Sequence, residues 1–262
     1  MDKKRIVVKV GTSTLTYENG KINLRRVDTL CKVLSDLRNF GHDVVLVSSG
    51  AIGVGVGKLG LLQRPTSTRE KQALAAVGQC ELMFMYDKFF SEYNNTVAQV
   101  LLTKYSVDTD HKKENVLNTF NTLLKMGIIP IVNENDTVAI DELEGNNFGD
   151  NDMLSAIVAS LINADTLIIL TDIDGLYTDN PRTNPKALHI DVVENITDEI
   201  MHMAHGTGSN RGTGGMATKL CAAQHVTKSG IDCIVLNGEN PTILYDVFDK
   251  ENKPGTLFKG QR

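Results

Sequence analysis

Two lysines stand at positions where a phosphate could be bound. Lys9 interrupts an apolar strand, and a buried ammonium group is costly unless an anion lies beside it. Lys219 follows Gly214 and Gly215, which begin a predicted helix whose free N–H groups attract anions. The two lysines therefore predict a phosphate site. The alternatives are a Lys9 that reaches solvent at the sheet edge and a flexible glycine loop followed by a solvated Lys219.

Polar clusters follow four of the predicted strands. They begin where each apolar run ends and comprise Gly11-Thr12-Ser13, Ser48-Ser49-Gly50-Ala51, Asn133-Glu134-Asn135-Asp136 and Thr171-Asp172. Any one of these clusters could be an ordinary turn. Ligands bind at the carboxyl ends of the strands in an open parallel sheet, so four clusters at that edge indicate a binding site. A fifth cluster, Gly149-Asp150-Asn151-Asp152, holds more polar side chains than the cap of one predicted helix requires.

The elements that must position these residues follow an alternating pattern. Six apolar runs rich in β-branched residues predict strands at 6–10, 44–47, 97–102, 128–132, 167–170 and 231–236. Helices are predicted at 24–37, 112–126, 153–162 and 215–229. A further helix is predicted to begin at a Thr68 cap and to run through Leu74, Val77, Glu81, Met85 and Phe89. Continuous apolar strands are typical of a sheet covered on both faces. The pattern predicts an α/β fold, a three-layer αβα sandwich with a mainly parallel central sheet, and a mobile loop over 140–149.

Composition excludes several classes of protein. The chain has 262 residues, is 41% hydrophobic and 23% charged, and so is not collagen-like, disordered or a disulfide scaffold. Its formal net charge of -5 disfavours nucleic acid and an anionic membrane surface as partners. No apolar run is long enough for a signal peptide or a membrane span, which predicts a cytoplasmic protein without a membrane partner.

Two glycine patterns, at 55–60 and 212–217, formally match the dinucleotide-binding motif. The first begins late after its strand, and Arg64-Pro65 follows before a helix is expected to develop. No apolar strand precedes the second pattern. A nicotinamide oxidoreductase is therefore an outside alternative, and an ordinary P-loop enzyme is excluded because its motif is absent. Residues that would hold a metal stay unassigned.

The motifs, taken together and in order from Lys4 to about Phe258, resemble the amino acid kinase family. The resemblance implies that family's fold, the use of ATP and Mg²⁺, and a homo-oligomer, either a dimer or a tetramer. For this motif set it implies phosphorylation of the γ-carboxylate of L-glutamate, the first step toward proline, with feedback inhibition by proline. Members that act on acetylglutamate, aspartate, carbamate or UMP are alternatives, and so is a non-catalytic sensor that uses the same pocket.

The resemblance also implies roles for individual residues. Lys9 and Lys219 are expected to clamp the transferring phosphoryl group while Asp152 orients them. The expected ATP site comprises Lys9, Thr171, Asp172, Thr213, Gly214, Gly215, Met216, Ala217, Thr218 and Lys219. The expected glutamate site comprises Ser49, Gly50, Asn133, Asp136, Asp150 and Asn151. A carboxylate with a pKa near about 4.3 is already ionised at neutral pH, so the reaction needs positioning and charge neutralisation rather than a general base.

A single amino acid kinase domain over residues 1–262 follows from this reading. Lys9 and Lys219 must meet at one phosphoryl group across one sheet, although they lie at opposite ends of the sequence. Many members of the family carry a further C-terminal domain of the PUA type. This sequence is expected to lack it.

Overall fold

Six parallel strands form the centre of the fold. They are β1 (Arg5–Val10), β2 (Asp43–Ser48), β3 (Val97–Leu102), β4 (Ile129–Glu134), β5 (Thr166–Thr171) and β9 (Asp232–Asn237). All six predicted strands are confirmed, with small differences at their ends. The structure, a computed structural model, describes residues 2–17, 19–63, 65–138, 151–203, 215–249 and 253–262.

Four shorter strands complete the β-structure of the described residues. They are β6 (Leu176–Tyr177), β7 (His189–Ile190), β8 (Val192–Val193) and β10 (Thr256–Phe258). The main sheet has the order β3-β4-β2-β1-β5-β9-β10-β8, in which β10 runs antiparallel to β9, while β6 and β7 form a separate antiparallel pair. Strands of two or three residues leave no apolar run in a sequence, so they were not predicted. The mainly parallel central sheet is confirmed.

Helices cover both faces of this sheet. They are α1 (Thr12–Leu15), α2 (Leu24–Asn39), α3 (Ala51–Leu59), α4 (Thr68–Glu92), α5 (Asp110–Lys125), α6 (Asn151–Leu161), α7 (Asp198–Met203), α8 (Met216–Thr227) and α9 (Ile243–Asp249). Core residues of α2, α3, α4 and α9 cluster with Ile6, Val8 and Val10 of β1. Core residues of α5, α6 and α8 cluster with Val7. Because side chains alternate along a strand, Lys9 shares the face of Val7, which α6 and α8 cover. The three-layer αβα architecture is confirmed.

Three expectations about the helices differ from the structure. A helix, α3, forms directly after β2; it contains Gly55 and Gly57 of the 55–60 pattern, and Gly60 is its C-cap. These glycines permit close packing, since a Cβ on Gly55 would lie 2.2 Å from the carbonyl oxygen of Leu74 in α4. In α4, Ser67 rather than Thr68 provides the cap. The fully buried face of α4 comprises Leu74, Ala75, Gly78, Leu82, Tyr86 and Phe90. Of the predicted face, only Leu74 is fully buried, and its other members are half-buried at the side of this face.

The start of α6 also differs from the prediction. The helix begins at Asn151, two residues before the predicted start, and so includes both Asn151 and Asp152 in its first turn. An aspartate in the first turn is favoured by the positive end of the helix dipole. Among the described residues, no helix is both long enough and apolar enough to cross a membrane.

Candidate active site

A buried carboxylate joins the two predicted lysines. Lys9 Nζ lies 2.6 Å from Asp152 Oδ1, and Lys219 Nζ lies 3.1 Å from Asp152 Oδ2. The side chain of Asp152 is 0% exposed, and those of Lys9 and Lys219 are 4% and 7% exposed. We call these three residues the lysine–aspartate bridge. In this arrangement one carboxylate contacts both ammonium groups, so Asp152 is placed to orient both lysines.

Asp152 is held in its ionised form. Burial alone would raise the pKa of this carboxyl, but the ammonium groups of Lys9 and Lys219 outweigh burial and hold the pKa well below its usual range. The hydroxyl of Thr218 adds a hydrogen bond of 2.9 Å to Asp152 Oδ2. Asp152 is therefore a fixed anion, not a proton acceptor.

Three elements bring the lysine–aspartate bridge together. Lys9 is the penultimate residue of β1, at the carboxyl edge of the sheet. Asp152 lies in the first turn of α6 and Lys219 in the first turn of α8, and these two helices pack against each other on the face of Lys9. The site therefore depends on parallel strands that end at one edge and on helices that begin there.

An amide network lies beside the lysine–aspartate bridge. Asn151 Nδ2 lies 2.7 Å from the carbonyl oxygen of Ser48, 2.9 Å from Ser49 Oγ and 2.8 Å from Asn133 Oδ1, and its two N–H groups are shared among these three acceptors. Asn133 Oδ1 also accepts from the backbone N–H of Glu134 at 2.9 Å. The network thus ties the first turn of α6 to the ends of β2 and β4.

The amide oxygen of Asn151 differs from the other acceptors of this network. Asn151 Oδ1 is buried and has no hydrogen-bond partner among the described residues. A buried amide oxygen without a partner is costly, so its position is typical of a binding site that a donor completes. Gly50 and Asp136 lie at the same edge, Gly50 as the N-cap of α3 and Asp136 in the turn after β4. Gly50 has a φ of 95°, a conformation that favours glycine.

The predicted nucleotide residues lie at the neighbouring strand end. Thr171 ends β5 and is buried, and its carbonyl oxygen accepts from the N–H of Gly238 at 2.8 Å. Asp172 is half exposed and pairs with Arg182 at 2.8 Å. Partial burial acts to raise the pKa of Asp172, but the hydrogen bond from Arg182 helps to lower it below its ordinary value. Gly215 is the N-cap of α8, and Met216, Ala217, Thr218 and Lys219 begin the helix.

Some predicted residues cannot be placed. Asp150, Thr213 and Gly214 lie outside the described residues, as does the loop predicted to be mobile at 140–149. Of the other predicted site residues, the structure brings Ser49, Asn133, Asn151, Asp152, Lys9, Thr218 and Lys219 into one connected group. In that part of the chain which the structure describes, no cluster of three or more His, Cys, Asp or Glu side chains could hold a metal ion.

Sequence reasoning missed four polar residues at the site. Gln79 Oε1 accepts from Asn133 Nδ2 at 2.7 Å, and Tyr86 shares a hydrogen bond of 2.8 Å with Ser48 Oγ. Gln72 donates to the carbonyl oxygen of Thr137, and Arg182 forms an ion pair with the carboxylate of Asp172. Gln72, Gln79 and Tyr86 are seven residues apart on α4, which is the one signal in the sequence that could have linked them.

With this geometry in place, the chain can be compared with known proteins. The model of the amino acid kinase family matches residues 4–237. The chain belongs to the amino acid kinase family, a class of kinases.

Within that class, the chain is similar to relatives named glutamate 5-kinase. It is 61% identical over all 262 residues to the glutamate 5-kinase of Clostridium perfringens (strain 13 / Type A), and it covers 97% of that protein. It is 56% identical over its full length to the enzyme of Listeria innocua serovar 6a, covering 95% of it. It is 52% identical over 97% of its length to the enzyme of Enterococcus faecalis, covering 94% of it.

Solved structures share the fold at much lower identity. The isopentenyl phosphate kinase of T. acidophilum, in a product complex, has a TM-score of 0.64 at 18% identity, covering 97% of this chain and 99% of that one. UMP kinase from Ureaplasma parvum has a TM-score of 0.65 at 16% identity, covering 99% of this chain and 100% of that one. At such identities the likeness concerns the fold alone.

Proposed function

We propose that this chain transfers the γ-phosphoryl group of ATP to the γ-carboxylate of L-glutamate. The observation that carries the proposal is the lysine–aspartate bridge, which lies between the amide network at β2 and β4 and the nucleotide residues at β5 and α8. Membership of the kinase family and the names of the relatives support the choice of ATP and glutamate. The nucleotide would lie on the α8 side and the acceptor on the α6 side.

The chemistry requires charge neutralisation rather than proton transfer. An oxygen of the γ-carboxylate forms a bond to the γ-phosphorus of ATP, the bond to the β-phosphate oxygen breaks, and ADP leaves. Both reactants are anions, and Lys9 and Lys219 would lower their repulsion and stabilise the charge that develops on the transferring group. Asp152, already ionised, would hold both ammonium groups at fixed positions, so that little reorganisation is needed in the transition state.

The amide network is proposed to bind glutamate. Asn151 Oδ1, the buried acceptor without a described partner, suits a donor such as the α-ammonium group. Asp136 at the end of β4 would supply a carboxylate for the same ammonium, while Ser49, Gly50 and Asn133 would surround the rest of the amino acid. We call Ser49, Gly50, Asn133, Asp136 and Asn151 the acceptor site.

Other expectations from the sequence belong to this proposal. Mg²⁺ would be held chiefly by the phosphates of ATP and by water, which is how this ion is usually bound in phosphoryl-transfer enzymes. Inhibition by proline, a dimeric or tetrameric assembly, a cytoplasmic location and a single domain over residues 1–262 stay predictions.

An acceptor panel tests the proposed reaction. ADP release would be measured with L-glutamate, acetylglutamate, aspartate and UMP at equal concentrations in a coupled assay with Mg²⁺ and ATP. We expect turnover with L-glutamate to exceed that with each other acceptor by at least about a hundredfold, because a site built to pair a ligand's polar groups rejects ligands that leave those groups unpaired. Faster turnover with another acceptor, or none with glutamate, would contradict the proposal.

Steady-state kinetics of variants test the roles of the residues. Lys219→Ala and Lys9→Met should each lower kcat by at least about a hundredfold, because each removes a cation from the transition state. Asp136→Ala should raise the KM for glutamate about tenfold with little change in kcat, because it removes a contact made in ground state and transition state alike. Lys228→Ala, at an exposed lysine after α8, is the matched control. Equal and mild effects at all three sites would refute the assignment.

A further inference from the structure

Helix α4 presents three polar side chains to the acceptor site. They are Gln72, Gln79 and Tyr86, which we call the α4 polar stripe. Seven residues correspond to nearly two full turns of an α-helix, so side chains at this spacing lie on one face. The stripe is notable because Tyr86 is fully buried and Gln79 is half-buried, where a polar group needs a partner.

Each member of the α4 polar stripe bonds to a segment that carries an acceptor-site residue. Gln72 Nε2 donates to the carbonyl oxygen of Thr137 at 3.3 Å, directly after Asp136. Gln79 Oε1 accepts from the side chain of Asn133 at 2.7 Å. The hydroxyl of Tyr86 lies 2.8 Å from Ser48 Oγ, directly before Ser49. The contacts are therefore spread along the ends of both β2 and β4.

The contact from Gln79 favours one orientation of the Asn133 amide. With Asn133 Nδ2 bonded to Gln79, Asn133 Oδ1 is turned toward Asn151 Nδ2 and accepts from it at 2.8 Å. The opposite orientation would place two NH₂ groups against each other and leave Gln79 Oε1 facing an oxygen. Gln79 thus acts together with Asn151 and the backbone N–H of Glu134 to stabilise one of the two orientations of the Asn133 amide.

The orientation passes on to Asn151. Because its Nδ2 atom donates to Asn133 and to the end of β2, its Oδ1 atom is left as the buried acceptor without a described partner. We propose that Gln79 is a positioning residue for the acceptor, acting through Asn133 and Asn151, and that Gln72 and Tyr86 fix the two strand ends in the same way. This inference rests on the proposed function, because it assigns the network to the binding of glutamate.

Kinetics of Gln79→Leu test the inference. The variant keeps the approximate size of the side chain and removes the acceptor of Asn133 Nδ2, so the Asn133 amide is held less firmly. We expect the KM for glutamate to rise about tenfold, with the KM for ATP and kcat within about threefold of the parent enzyme. Gln79→Glu retains an acceptor oxygen and should recover most of the loss. A purely structural role for Gln79 would instead reduce the active fraction, which lowers kcat and leaves KM unchanged.

The controls separate this inference from the proposed function. Gln99→Leu, at an exposed glutamine of β3, should leave both KM values unchanged. If Gln79→Leu fails to fold, Gln72→Ala is measured, with a rise in the glutamate KM again expected. No turnover of glutamate by the parent enzyme would remove the proposed function together with the inference. Normal turnover by the parent with an unchanged glutamate KM in the stripe variants would overturn the inference alone.

Discussion

The site's electrostatics rest on one residue, Asp152. Two ammonium groups share its carboxylate, so these three side chains together carry one excess positive charge within a buried region. Because Asp152 neutralises only one of the two ammonium groups, the lysine–aspartate bridge can still attract an anion. The transferring phosphoryl group is the anion that the proposed reaction supplies, and it would meet cations whose positions are already fixed.

Asp152→Asn tests the contribution of this carboxylate. Asparagine has a similar shape and no charge, so Lys9 and Lys219 would be left buried beside each other. We expect the free energy of unfolding at neutral pH to fall by about 3 kcal/mol, since breaking a buried ion pair leaves an uncompensated charge. Urea unfolding would measure this change. The native pKa lies below that of an unfolded aspartate, about 3.9, so the contribution is complete above that pH and is lost in stronger acid.

Asp110→Asn is the matched control, because Asp110 is fully exposed and pairs only at the surface with Lys113. It should change stability by less than about 0.5 kcal/mol. An Asp152→Asn protein as stable as the parent would contradict the account of the lysine–aspartate bridge.

At the residue scale, charged site residues can be predicted from the sequence more readily than neutral amide residues. Lys9 can be found because a lysine within an apolar strand needs an explanation, and Lys219 because it follows a glycine pair. Gln79 cannot be found in the same way, since a glutamine on a helix is ordinarily a surface residue. Its partner Asn133 is distant in sequence, and only the packed structure brings the two amides to 2.7 Å.

At the scale of elements, α3 and α4 pack unusually closely. A Cβ added to Gly78 would lie 1.7 Å from the carbonyl oxygen of Ala51, and one added to Gly57 would lie 2.4 Å from that of Gly20. Neither separation is possible for real atoms, so these glycines set the distance between backbones. Because α4 also carries the α4 polar stripe, the packing of α3 against α4 helps to determine where Gln79 and Tyr86 reach.

Gly78→Ala tests this packing. The added methyl group meets backbone rather than a movable side chain, so α4 must shift. We expect the free energy of unfolding to fall by about 2 kcal/mol or more, which is a typical effect of overpacking a core. Gly215→Ala is the control, because a Cβ there meets nothing within 4 Å, and its effect should not exceed about 1 kcal/mol, the typical cost of alanine at an N-cap. Comparable losses in both variants, measured by thermal or urea unfolding, would argue against the role of close packing.

The same elements show where sequence reasoning about the fold succeeds. The six long strands can be predicted because apolar runs of that length, rich in β-branched residues, are typical of buried strands. The helix α3 was missed because its glycines are poor helix formers, and only contact with α4 and Gly20 explains their presence. The buried face of α4 was misplaced because apolar residues lie on several sides of that helix, so periodicity alone could not identify the side that faces the core.

At the scale of the whole molecule, the two edges of the sheet differ in chemistry. The carboxyl edge carries the lysine–aspartate bridge and the acceptor site. Near the opposite edge, His42 is 1% exposed, its Nδ1 atom accepts from the N–H of Lys4 at 3.1 Å, and its ring lies between Phe40 and Phe248. Burial, assisted by the charge of Lys4, lowers the pKa of His42.

The stability of the whole fold should therefore fall in mild acid. Since the native pKa of His42 lies below its unfolded value of about 6.5, folding favours the neutral ring; this contribution is complete above that pH and is lost as pH falls through the native pKa. His42→Asn retains an acceptor for Lys4 but does not titrate. We expect its free energy of unfolding to change less between about pH 7 and about pH 5 than that of the parent.

Urea unfolding across this pH range is the measurement, with His111→Asn as the control at an exposed histidine for which the parent's pH dependence should be retained. An identical pH dependence in the His42→Asn protein and the parent would show that another group is responsible.

The central place of β1 has a consequence for protein synthesis. Residues of β1 pair with β2 on one side and with β5 on the other, so one edge of the first strand stays open until residues 166–171 have left the ribosome. An open edge on a mostly apolar strand is a template for aggregation. Lys219 emerges later still. Between the completion of β2 and the synthesis of β5, the central strand of the growing chain can therefore pair on one side only.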